Sequence, residues 1–356
     1  MPRSRNRNFW LDPQAQDPEI HDHVEQIQIV DSHEHLDEER VRLEGPNNLT
    51  RFFLYYTFSD VVSAGLPDMP GGTFFNHGMS GEEQWTLIRN YWPLVKHSAF
   101  CRAVTLSIRE LYDIEDLRDD TILPLLEAIA KKNQPGVTEW ILREKCGIEC
   151  SFINCEDPGD LARRTDHPGL FLPVLGVSAF CSDKMPIDKY QRSTGVSIAS
   201  LKDWTRMIDW YFERWGGHVV SLKNVCGYWR SLHFENVAES EAGAVFEKWL
   251  LRGQSATETE RRMLQDFNFH YCIRRAIDYG LPVQIHTGYH SGSNYMDLNL
   301  LWLRDLCNLF RDYPSARFVL IHTGYPEGQE LIALCKHYRN VFADLSWTWA
   351  IDPEAS

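Results

Sequence analysis

The chain is short of positive charge. Lys and Arg number 36 against 50 Asp and Glu, a formal net charge of -14 over 356 residues. Nucleic acid and anionic membranes both demand basic patches, so neither is expected as a partner. No apolar run approaches the length of a membrane span. The basic start, 1–8, is not followed by an apolar stretch, so a secretory signal is not expected. The nine cysteines include no Cys-x-x-Cys pair and are odd in number. Most sit in apolar runs, where a free thiol behaves as a small hydrophobe. A reducing, cytoplasmic setting is the expectation. A Gly-x-Ser-x-Gly elbow is missing, which leaves a serine triad unsupported. So is a Gly-x-x-x-x-Gly-Lys-Ser/Thr loop, the cradle for nucleotide phosphates.

What is present is enough apolar residue, 43%, for a sizeable core. Length alone suggests two domains, but α/β barrels of this size are often single domains. Residues 1–26 are polar and carry Pro13 and Pro18; they read as an N-terminal arm with a short helix at Pro18–Gln26. A strand is expected at about 27–33. Residues 27–356 are then read as one barrel, with 40–145 a helical insertion after the first strand. Its helical patterns are Glu82–Lys96, Phe100–Tyr112 and Thr121–Lys145, and the Pro/Gly-rich stretch Leu66–Gly72 is a loop. The insertion is too long for a simple βα loop. It covers one mouth of the core, or supplies a lid and substrate specificity.

From 146 onward the rhythm is regular. Apolar runs at Ile148–Ile153, Leu170–Val177, Val219–Leu222, Pro282–Ile285, Phe318–Ile321 and Val341–Ala343 read as strands. A polar helix is expected after the first of them. Helical patterns follow at Ser200–Trp215, at 238–279 with a break at Gly253, at Leu298–Phe310 and at Glu327–Tyr338. Short apolar runs alternating with helices imply an α/β fold with a parallel sheet, whose strands are buried on both faces.

Polar residues fall at the ends of these runs. His33 and His35 close the first, two positions apart, a spacing that sends both imidazoles to one face of a strand. Such a pair can grip one divalent metal ion, although alone it is weak evidence. Lys223, His286, His322 and Asp344 close later runs. In an α/β barrel the C-terminal strand ends are where active sites are built. The segment Ile-His-Thr-Gly-Tyr occurs twice, at 285–289 and 321–325, each time with a glycine that lets the chain turn or approach a ligand.

Asp31-Ser-His33-Glu-His35, Lys223, His286 and His322, in that strand order, resemble the amidohydrolase superfamily, in particular its amidohydrolase-related branch of uronate isomerases, metal-dependent decarboxylases and simple hydrolases. The resemblance runs from about 27 to 350, and the helical insertion is similar to one in uronate isomerases. It implies a (β/α)8 TIM-type barrel. His33, His35 and His286 are the implied metal ligands. His322 is implied either as a second-metal ligand or as a group polarising substrate or water. The resemblance leaves Lys223 as a carboxylated bridge between two metals or as a substrate contact. One departure stands out: the superfamily's eighth strand ends in a metal-binding aspartate, whereas here Ser356 follows soon after the seventh strand. Asp344 belongs to that seventh strand and is not its equivalent. A truncated reading frame is the favoured expectation, ahead of an N-terminal segment or a second chain filling the gap.

Zinc fits histidine nitrogens best, with manganese or iron as the alternatives. The first functional expectation is therefore a metal-dependent hydrolase whose activated water attacks a C–N, C–O or lactone bond of a small molecule. The alternative is uronate isomerisation or decarboxylation, with Arg230 gripping a substrate carboxylate and Tyr228 beside it. A third expectation is an inactive metal-binding remnant. A homo-oligomer is compatible with all three.

Overall fold

The structure, a computed structural model, describes residues 18–67, 72–76, 78–155, 167, 169–182, 185–252, 255–292 and 296–351. Seven strands form one sheet: β1 (Ile29–Glu34), β2 (Ile148–Cys155), β3 (Phe171–Gly176), β4 (Ser221–Asn224), β5 (Val283–His286), β6 (Phe318–Ile321) and β7 (Val341–Asp344). They lie side by side in sequence order, every neighbour parallel. β4 and β5 are buried at every position. The strands expected from 146 onward are therefore present, and the fold is an α/β barrel of the TIM type with seven strands among the described residues.

Outside the sheet, helices pack their apolar stripes. In the helix Leu201–Trp215 the residues Leu201, Trp204, Ile208, Tyr211 and Phe212 are buried. Ser200 starts it by accepting the Asp203 N–H, which satisfies one of the helix's orphan donors. Burying a side chain as large as Trp204 contributes on the order of 3 kcal/mol. The helices Glu239–Leu251 and Glu258–Asp278 continue this layer, with Phe246, Trp249 and Phe269 in the same core cluster. No helix among the described residues is long and apolar enough to cross a membrane.

The sheet is curled. Gln284 of β5 donates through Nε2 to the carbonyl of Ser32 in β1 at 3.1 Å. In a flat sheet these strands, four places apart, would lie about 19 Å from each other. Ser32 Oγ also donates to Asp344 of β7. The first and last strands thus face each other without a backbone ladder between them among the described residues. Ile29, Val30 and Phe342 stay exposed on these two edges.

Between β1 and β2 the chain is helical, with Tyr56–Ser63, Gly81–Ile88, Ala99–Tyr112 and Ile122–Lys132 as its longer pieces. It has an apolar cluster of its own, including Phe53, Phe74, Trp92, Ile108 and Leu125. It docks on the barrel mouth: Tyr56 donates its hydroxyl to the Tyr289 carbonyl at 3.1 Å, and its ring lies 5.4 Å from that of Trp347.

Several helices are more broken than the periodicity suggests. The pattern at Glu82–Lys96 splits into Gly81–Ile88 and Trp92–Val95, because Pro93 is tolerated only in a first turn. The pattern at Thr121–Lys145 is interrupted at Gly136, which is left-handed at φ 92°. Leu298–Phe310 resolves into two 3-10 turns and the helix Cys307–Asp312, with Trp302 extended between the turns. Leu301 and Leu303 are both buried. Two positions apart they would point roughly 200° from each other on one α-helix. Lys223, His286 and Asp344 lie in the last residues of their strands, where the apolar runs put them. The helix Ile187–Thr194 was not expected from the pattern. Most of the arm at 1–26, most of the 66–72 loop, the polar helix after β2 and the Gly253 break lie outside the described residues.

Candidate functional site

Parallel pairing brings the C-terminal strand ends together. His286 sits opposite Ile321, and Ile321 opposite Asp344; Lys223 sits opposite Gln284. β1 contributes through an irregularity: Asp31 pairs with Ser151 but Glu34 with Ile153, so three steps on β1 match two on β2. A bulge of this kind re-aims side chains. Here it lies at Ser32 and His33. Beyond β6 the chain turns through three left-handed residues, His322 (φ 70°), Thr323 (φ 50°) and Gly324 (φ 64°). Two are not glycine, an unfavourable conformation that the surroundings must enforce. Thr323 Oγ1 is held 2.9 Å from Thr348 Oγ1, and Thr287 donates to the Ile321 carbonyl at 2.7 Å.

The outcome is a chain of rings. The His33 ring centroid is 4.8 Å from that of His35 and 5.3 Å from that of His322; His286 and His322 are 4.7 Å apart. Lys223 Nζ lies 3.5 Å from His33 Nδ1. Lys223, His286 and His322 are buried. Burial first, and the Lys223 charge among further causes, pull His33, His286 and His322 well below the ordinary imidazole value. The same two causes lower His35 to about 4. All four rings are therefore neutral at pH 7 and offer lone pairs rather than charge. Burial, then the neighbouring Asp31, raise Glu34 to about 7.

Neutral imidazoles are the donors that nitrogen-preferring divalent metals take. His322 Nδ1 is buried with no partner among the described residues. In donor chemistry the cluster fits a metal ion. Its present arrangement is not a closed shell: among the described residues no group of three or more His, Cys, Asp or Glu is placed to hold one. His286 has both nitrogens engaged, Nδ1 with the Tyr228 hydroxyl at 3.3 Å and Nε2 with the Gly288 carbonyl at 2.7 Å.

Beside the rings opens a cleft of about 1210 Å³, lined by β1 and β7 and by Tyr55, Tyr228, His290, His322 and Trp347. Tyr228 thus reaches the site, with its ring 4.5 Å from His290. Arg230 does not line the cleft. It is buried in an ion pair with Asp266 at 2.6 Å, donates to Gln265 and to the carbonyls of Ser231 and His233, and covers the Phe234 ring. Its hydrogen-bonding capacity is used inside the protein.

Glu34, His290, Tyr55 and Tyr56 are site residues that the sequence pattern does not single out, and Trp347 and Trp349 join them. Both tryptophans line the cleft, and Trp347 stacks on His322 at 4.7 Å. His290 had a signal, since it directly follows the first Ile-His-Thr-Gly-Tyr segment. The insertion tyrosines had none beyond their aromatic density.

No curated protein matches this chain in sequence. Among solved structures it is similar to uronate isomerase from Thermotoga maritima, with TM-score 0.72 and 15% identity, over 91% of this chain and 77% of that one. Glucuronate isomerase from Caulobacter crescentus gives 0.68 and 15%, over 93% and 78%. A Lactobacillus casei protein named only provisionally as a metal-dependent hydrolase gives 0.61 and 17%, over 93% and 77%. At such identities the likeness is one of fold. Residues 252–356 match the family model described as Amidohydrolase. That match agrees with the resemblance over the stretch that carries His286 and His322, and the solved structures agree with its barrel fold.

Proposed function

We propose that this chain is a metal-dependent hydrolase of the amidohydrolase-related type, acting on a C–N, C–O or lactone bond of a small molecule. The observation that carries the reading is the neutral cluster of His33, His35, His286 and His322 beside Lys223 at the C-terminal end of a parallel barrel. His33 and His35 would hold a divalent cation, and His286 would join them once its Nε2 leaves the Gly288 carbonyl; zinc suits the nitrogen donors. Such an ion, when bound, lowers the pKa of a water molecule and polarises a carbonyl oxygen. The protein's own groups do the rest. Trp347 fixes the plane of His322, whose ring borders the cleft and can take or give a proton there. Tyr228 orients His286. Lys223 places a positive charge next to His33, where it would steady developing negative charge.

A second reading, uronate isomerisation, is favoured by one observation, the helical layer docked over the mouth of a fold similar to uronate isomerases. The engagement of Arg230 by Asp266 removes the arginine that was to grip a uronate carboxylate. A cytoplasmic setting is part of the same reading, carried by an odd cysteine count without a Cys-x-x-Cys pair.

The test is metal analysis of the purified protein, followed by turnover of esters, lactones, amides and uronates. Stoichiometric metal that is lost in His33→Ala and His286→Ala, with hydrolysis of one of the first three classes, is expected. Turnover confined to uronates would transfer the assignment to the second reading. A metal-free wild type without turnover would leave an inactive remnant.

A further inference from the structure

A second cavity, of about 180 Å³, lies in the helical layer between β1 and β2. It shares no lining residue with the cleft. Arg42, from the helix Glu39–Glu44, and Arg51, from the turn Thr50–Phe52, both line it. Ser107, Tyr112 and Asn133 add polar atoms, and no Asp or Glu is among its described lining residues. In a chain of net charge -14, two arginines on a wall without a carboxylate stand out.

The two guanidinium groups are poorly compensated. Arg51 has Asp37 at 4.0 Å, but the side chain of Asp37 is 63% exposed, so that pair contributes little. Among the described residues its side-chain hydrogen bond goes to the Val41 carbonyl at 3.3 Å. Burial, then the charge of Arg42, draw the Arg51 pKa down. Arg42 donates to the Tyr112 hydroxyl at 3.4 Å, while its Nε is buried with no partner among the described residues. Tyr112 accepts that bond and keeps its own O–H to donate. Phe52, Leu111 and Ile129 supply apolar wall, where charge interactions are stronger than in water. Like charges side by side, with unused donors and apolar walls, lack only an anion.

We propose that this cavity binds a small tetrahedral oxyanion, free phosphate or the terminal group of a phosphate monoester, through Arg42, Arg51 and the Tyr112 hydroxyl. Guanidinium forks match phosphate oxygens in pairs, which explains two arginines rather than lysines. The helix carrying Arg42 begins four residues after His35. Occupancy therefore ties the segment leaving the candidate active site to the helix Ala99–Tyr112.

The test is calorimetric titration and thermal unfolding of the full chain with inorganic phosphate and with glycerol 3-phosphate, against sodium chloride at equal ionic strength. At least one phosphate compound should bind saturably and raise the melting temperature where chloride does not. Inorganic phosphate alone identifies the free ion; glycerol 3-phosphate alone identifies the ester. Arg42→Gln and Arg51→Gln should each weaken binding about tenfold or more. Ser107→Glu, which sets a carboxylate on the cavity wall, should raise the melting temperature without ligand and abolish the phosphate response. This variant keeps the idea testable if the arginine variants fold poorly. Equal effects of chloride and phosphate, or undiminished binding by Arg51→Gln, would overturn it.

Discussion

Arg230 and Asp266 meet at 2.6 Å in the interior, their side chains 5% and 6% exposed. Despite the nearby guanidinium, burial keeps the Asp266 carboxyl above its ordinary value. Removing one partner strands the other charge. Asp266→Ala should therefore cost about 3–5 kcal/mol, whereas Arg230→Met with Asp266→Leu should cost much less. Urea unfolding of the three proteins decides, and a wild-type midpoint for Asp266→Ala would refute the account. His270 gives a second residue-scale prediction. It is buried, with Nδ1 2.8 Å from the Tyr313 hydroxyl, and burial lowers its pKa below 6.5. Above 6.5 the ring is neutral whether folded or unfolded. As pH falls below 6.5 the unfolded chain takes a proton that the folded chain resists, so stability is lost, at most about 1.4 kcal/mol per pH unit. Between pH 7.5 and 5.5, His270→Gln should lose less stability than the wild type; equal losses would count against the assignment.

At the level of elements, the twice-used Ile-His-Thr-Gly-Tyr segment does two different things. Gly324 supplies a left-handed turn at φ 64°. Gly288 supplies room: a Cβ there would stand 2.5 Å from His322 Cβ and 2.9 Å from Trp347 Cζ2. The His322 Cβ is fixed to the backbone and cannot swing aside. Gly288→Ala should cost about 1–3 kcal/mol by overpacking and displace His322 from Trp347. Gly328→Ala is the control, since nothing lies within 4 Å of its added carbon. Melting curves with tryptophan fluorescence report both effects. Identical behaviour of the two variants would mean that Gly288 is not there for close approach.

For the whole molecule the governing feature is the curl that brings β1 opposite β7 with no ladder between them among the described residues. The edges carry Val30, 53% exposed, and Phe342, 47% exposed. Unpaired parallel edges of this kind recruit other strands. The 356-residue chain should self-associate as its concentration rises, and Val30→Lys with Phe342→Lys should reduce this in light scattering. Association unchanged by the two lysines would place the contact elsewhere.

Much of this was readable in the chain itself. Short apolar runs spaced by amphipathic helices suffice to imply a parallel α/β sheet, because strands buried on both faces need no alternation. The same runs mark His33, His35, Lys223, His286 and His322, because a strand's last residue must emerge at the sheet's end. Local pattern says less about helix breaks such as Trp302, which follow from burying both Leu301 and Leu303. It says nothing about whether Arg230 faces a ligand or Asp266, two residues 36 positions apart that only packing brings together. Nor does it reveal that Tyr55 and Trp347, far apart in sequence, line the same cleft, or that Arg42 and Arg51 converge on a separate cavity. Residue type and period determined the strands and the chemistry at their ends. The partners of each charge were decided by tertiary structure, because a side chain's electrostatics depend on which neighbours replace its water.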